Sequence, residues 1–124
     1  MRALVLAALV ALTPAAARAQ GSPPEDPHLR ALAAGYKAAF LCSGLFNAGH
    51  SPEQVAKDDL EGVYPDYQAL VRALPAAIDR EARTVSVEFD PQLPPRVAAW
   101  RPVLGCAQLP IGATAEDRTP SAAR

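Results

Sequence analysis

An α+β fold is what this sequence predicts: two N-terminal helices followed by a small antiparallel β-hairpin or three-stranded sheet, stapled by one disulfide. Three observations carry the expectation. Residues 28–47 repeat apolar side chains at three- and four-residue spacing, the period of a helix. Thr84-Val85-Ser86-Val87-Glu88-Phe89 alternates apolar and polar residues, the period of a half-buried strand. The two cysteines, Cys42 and Cys106, fall one in the helical half and one in the strand-like half.

The chain starts with a targeting segment. Met1-Arg2 is positively charged, Ala3 to Leu12 is an unbroken apolar run, and Ala17-Arg18-Ala19 is a small-x-small cleavage site. That order defines a secretory signal, residues 1–19, cut between Ala19 and Gln20. The run is about half the ~20 residues a spanning helix needs, and no other segment could cross a membrane. No Cys follows the run closely, which argues against a lipid anchor. The expected location is therefore exported, periplasmic or secreted. Gln20 to Arg124 leaves 105 residues, enough for one small domain. Without Arg2 and Arg18 it carries 10 basic and 13 acidic side chains, a net charge of −3. No basic patch or stripe suits nucleic acid, which binds clustered positive charge.

Residues 20–27 (QGSPPEDP) are polar and proline-rich and read as a flexible leader. A small α+β module is expected over 28–112. Asp26 can cap the first helix, with Pro27 at its first position, where the missing N–H costs nothing. Leu29, Leu32, Tyr36 and Phe40 form its stripe. Leu41, Leu45 and Phe46 widen that stripe, which implies contacts on more than one side. Gly49 ends it. Ser51-Pro52-Glu53-Gln54 opens a second helix with a capping box, expected to reach about Glu61. Tyr67 to Leu74 suits another short helical turn. Ala77 to Asp79 suits a short strand before Thr84–Phe89. Arg96 to Arg101 is the next strand candidate, and Gly105 to Leu109 extends or follows it. Residues 113–124 read as a disordered tail.

An even cysteine count in an exported chain favours a Cys42–Cys106 bridge. It would close a loop of about 65 residues, worth roughly 4 kcal/mol on the chain-entropy view. A reactive thiol or a metal ligand is the other use of such residues. A metal site would need more Cys or His nearby than His28 and His50, which lack a partner at ligand spacing.

No catalytic constellation is visible, and no cofactor or metal site is expected. Ser43 sits inside a helical pattern without the glycine a nucleophile elbow requires. No Ser-x-x-Lys occurs. Ser121 to Arg124 (SAAR) comes nearest, but arginine cannot act as a base. Asp58, Asp59 and Glu61 cluster at the end of the second helix and could serve acid–base chemistry or a cation, yet a solvated polar face accounts for them as well. Tyr36, Phe40, Phe46 and Trp100 could line a pocket; aromatics at helical spacing fit a core better.

Three stretches together resemble a family: Lys37 to Gly49 (KAAFLCSGLFNAG), Thr84 to Phe89 (TVSVEF) and Arg96 to Leu109 (RVAAWRPVLGCAQL). They look like the N-terminal region of secreted bacterial serine hydrolases related to class C β-lactamases and penicillin-binding proteins. There a "CSG-F--G" helix precedes a strand, and a second strand ends in "RPGLGC". Here that motif is Arg101-Pro102-Val103-Leu104-Gly105-Cys106, with Val103 where the family carries Gly. The resemblance spans about residues 30–113. It implies that the hydrolase chemistry, a Ser-x-x-Lys serine forming an acyl-enzyme, belongs to a catalytic domain downstream. No position here matches a catalytic residue of the family. The expectation is an accessory module, a fragment of a longer hydrolase, inactive alone and packed against a catalytic domain or another protein. The alternative is a stand-alone exported binding or interaction protein.

Overall fold

The computed structural model describes residues 26–118; the expected signal segment 1–19, with its Ala19–Gln20 cleavage site, lies outside the described residues, as does the expected leader 20–27 up to Glu25, whereas its last two residues, Asp26 and Pro27, belong to the start of α1. Three helices precede a four-stranded sheet: α1 Pro27–Phe46, α2 Pro52–Asp58, α3 Pro65–Ala73, β1 Ala76–Asp79, β2 Thr84–Val87, β3 Arg96–Arg101 and β4 Gly105–Gln108. The strands form an antiparallel meander in the order β1-β2-β3-β4. The α+β class and the single disulfide stand. The expected two helices become three, and the expected hairpin or three-stranded sheet becomes four strands.

Helix α1 is the hub, touching α2, α3, β2, β3 and β4. Asp26 caps it by accepting the His28 N–H at 2.9 Å, and Pro27 holds the first position. Its buried face mixes small and large residues: Ala33, Ala34 and Ala38, then Leu41, Cys42 and Leu45. The small ones let the sheet approach closely. The face is wide because the sheet lies on one side and the other two helices on another.

Helix α2 carries the capping box read from Ser51 and Gln54, closed by reciprocal hydrogen bonds of 2.8 and 3.2 Å. It stops at Asp58, short of the expected Glu61. Both the Asp59 and Leu60 N–H groups bond to the Val55 carbonyl, which closes off the helix end, and Leu60 is buried just beyond it. The Gln68 side chain then ties down the connection, donating to the Leu60 carbonyl and accepting from the Val63 N–H. Helix α3 ends because Pro75 forces Leu74 into extended backbone. Lys37 on α1 reaches across to donate to the Leu74 carbonyl at 2.8 Å, serving one of the carbonyls that a helix end leaves open.

The sheet uses both faces. Val85, Val87 and Ala98 join the main core with α1, α2 and α3. Val97, Ala99 and Leu109 form a second cluster on the opposite face, covered by Ala113 and Ala115. That cover moves the expected boundary of the tail. Residues 113–118 fold back over the sheet as a short 3-10 turn, Ala115–Arg118, with Thr114 and Asp117 hydrogen-bonded at its start. The alanines do this work because they are small enough to lie flat on the strand surface. Residues 119–124 lie outside the described residues.

Two hairpin turns hold non-glycine residues at positive φ: Arg83 at 52° between β1 and β2, and Val103 at 68° between β3 and β4. Around Val103 the Leu104 N–H bonds to the Pro102 carbonyl at 2.8 Å. That three-residue closure with a positive central φ is the rare, strained form of γ-turn.

Candidate functional site

The Cys42–Cys106 disulfide joins the C-terminal part of α1 to β4, with sulfurs 2.04 Å and Cα atoms 6.0 Å apart. No described cysteine is free, so neither a reactive thiol nor a thiolate ligand remains. Cys106 lies inside the last strand and not beyond it, because Gly105 already turns the chain back onto β3.

Around the bridge the distant stretches of the sequence converge. Trp100 of β3 donates its indole N–H to the Asn47 side chain at the end of α1, at 2.9 Å. A side chain at Gly105 would lie 3.2 Å from the Asn47 amide nitrogen, and its φ of +73° favours glycine as well. The Arg83 guanidinium sits 4.1 Å from the Trp100 ring centre, a cation–π contact. On the other side of α1, a Cβ at Gly44 would lie 2.3 Å from Val55 Cγ2, so glycine is what lets α2 dock. Cys42, Asn47, Trp100, Gly105 and Cys106 thus form a joint between helix and sheet, and Gly44 a second joint between α1 and α2. Their chemistry is spent on packing.

The residues weighed for chemistry are scattered. Ser43 is half-buried in the last turn of α1. His28 and His50 are exposed at opposite ends of that helix. Asp58 points to solvent, while Glu61 pairs with Arg72 of α3. That pair is exposed on both sides and contributes little, because water screens it. Among the described residues no group of three His, Cys, Asp or Glu side chains could hold a metal ion. No described helix is long and apolar enough to cross a membrane.

Among the described residues, a small groove of about 150 Å3 lies beside Phe89 and Asp90, and two regions of concave surface are larger. The larger groove, about 510 Å3, runs between α2, the end of α3 and β1. Leu41, Ala56, Leu60, Leu74 and Ile78 line it, together with the Lys37 amine, whose pKa burial pushes below the usual lysine range. The other region consists of two grooves that share Tyr36. One, about 410 Å3, is lined by Tyr36, Gly62, Val63, Tyr64 and Pro65. Its neighbour, about 250 Å3, is lined by Leu32, Gly35, Tyr36, Tyr67, Arg96 and Gln108 among others.

The aromatics therefore divide. Phe46 and Trp100 pack against the core as expected of them, and Tyr36 packs there on one side only. Its other side opens on both grooves, and Phe40 beside it is 39% exposed. Helical spacing placed Tyr36 and Phe40 on one stripe but could not say that the edge of the stripe is left uncovered. Tyr64, Tyr67 and Arg96 gave no signal at all in the sequence, since they come from a loop, a short helix and a strand end.

The chain matches no protein-family model, and no curated protein or solved structure matches it.

Proposed function

We propose that this chain is the N-terminal accessory module of an exported serine hydrolase related to class C β-lactamases, with no catalytic activity by itself. One observation carries the reading. The stretches that resemble the family, 37–49 and 96–109, meet at the joint built on the Cys42–Cys106 bridge and the Trp100–Asn47 hydrogen bond. Motif residues that close on one another in this way make a scaffold, and a scaffold is what an accessory module contributes to a catalytic partner. The disulfide also agrees with an oxidising, exported location. The module's task is to pack against or flank the catalytic domain. Incubating the exported protein with a fluorescent penicillin and with a serine-directed ester probe should leave it unlabelled. Stoichiometric labelling of any serine would sink the reading.

A stand-alone exported binding protein is the second reading, favoured by the closure of both sheet faces within the chain. A unit that covers its own sheet can fold unaided. It predicts a monomer that unfolds in one cooperative transition; aggregation or a gradual, uncooperative loss of structure speaks against it.

A further inference from the structure

All three tyrosines of the chain line the two grooves that share Tyr36. The Tyr36 ring stacks on Phe40 with centroids 4.3 Å apart, and the Tyr64 and Tyr67 rings tilt against each other at 5.9 Å. Tyr64 is 74% exposed and Leu32 is 45% exposed, so apolar and aromatic surface is open to a partner there. Arg96 is the single charged residue lining either groove. Its Nη2 donates to Gln108 Oε1 at 2.8 Å, and Gln108 in turn donates to the Gly35 carbonyl at 2.9 Å, which braces the guanidinium in place. Among the described residues one of its five N–H donors has a partner, and its buried Nε has none.

Two requirements on a ligand follow from that lining. Flat aromatic walls with no charge of their own suit proline rings held in an extended polyproline II segment, which is already ordered before it binds. A braced guanidinium with unused donors, in a groove lined by no acid among the described residues, suits a carboxylate from outside. Tyrosine and arginine are also the side chains that concentrate binding energy at interfaces. We propose that this surface docks an extended, proline-containing peptide segment bearing an acidic side chain, with Tyr36, Tyr64 and Tyr67 taking the proline rings and Arg96 the carboxylate. The site stands apart from the hydrolase reading and would serve a stand-alone binding protein equally well.

Calorimetric titration of the exported chain with an acetylated Pro-Pro-Glu-Pro-Pro peptide, and with its counterpart carrying Gln in place of Glu, tests the proposal. The acidic peptide should bind saturably and at least fivefold more tightly than the neutral one. Arg96→Gln should bring the acidic peptide down to the affinity of the neutral peptide and leave the latter unchanged. Should Arg96→Gln lower the melting temperature, Arg96→Lys keeps the charge and should retain the preference for acid. Tyr64→Ala, at an exposed position, should weaken both peptides at least fivefold with the melting temperature unchanged. The proposal is overturned if neither peptide saturates, if the preference for acid survives Arg96→Gln, or if Tyr64→Ala leaves both affinities as they were.

Discussion

Val103→Gly should make this protein more stable. Val103 holds φ at 68° in the β3–β4 turn, and its side chain is fully exposed, so the substitution removes no packing. A left-handed conformation costs an L-residue about 1–2 kcal/mol, and branching at Cβ makes valine one of the worst fits. Glycine occupies the same region freely but loses more freedom on folding, which takes back about 0.5–1 kcal/mol. The net gain is on the order of 0.5–1 kcal/mol. For a domain of this size 1 kcal/mol moves the melting temperature by about 4–8 °C, so the expected rise is about 2–8 °C. The assay is thermal unfolding followed by circular dichroism, with the disulfide oxidised throughout. Val103→Ala is the control, because it keeps Cβ and loses only the branch, and its gain should be smaller. A Val103→Gly protein that melts at or below the wild-type temperature, or no higher than Val103→Ala, refutes the strain argument.

Gly44→Ala places a methyl 2.3 Å from Val55 Cγ2 and should cost about 1–3 kcal/mol in urea unfolding. Adding Val55→Ala should recover part of that loss, and strict additivity of the two losses would rule out the proposed clash. Replacing Cys42 and Cys106 together with Ala should cost about 4 kcal/mol, since the bridge spans a sequence separation of 64; an unchanged denaturation midpoint would contradict this. Burial holds the Lys37 pKa below 10.5, so keeping Lys37 charged works against folding below its folded-state pKa. That handicap fades as pH rises from the folded-state pKa through 10.5, above which the amine is neutral in both states. The stability of wild type relative to Lys37→Met should therefore climb across this window in urea titrations at successive alkaline pH values, and a flat or falling difference would remove desolvation as the cause.

Much of the fold was legible because its signals are local. Asp26-Pro27 and Ser51-Pro52 announce their helices through caps that need no tertiary partner, and both cap as expected. The alternation in Thr84–Val87 identified a strand that is buried even at Thr84. The weaker elements depend on neighbours. Ala76–Asp79 was legible as a short strand from Ala77 onward, but it is exposed along most of its length and is held by pairing with Thr84–Val87. Residues 113–118 have the composition of a tail, and only the apolar outer face at Val97 and Ala99 gives their alanines something to cover. The candidate groove was the least legible part. Tyr36, Tyr67 and Arg96 lie on α1, α3 and β3, and no spacing along the chain relates them before the helices cross.

The bridge between α1 and β4 also sets a timetable. The helix that organises the domain is made first, and the cysteine it must find lies 64 residues further on. At roughly 5–20 residues per second of synthesis that interval is about 3–13 s. For the first part of it, until β2 and β3 are made, Leu41, Leu45 and Cys42 have no strands to lie against, and α2 and α3 can cover only one side of them. A chaperone that shields the apolar face of α1, together with an oxidant that acts late, is what this order of assembly asks of the cell. An early oxidant would meet Cys42 alone and direct it toward another chain.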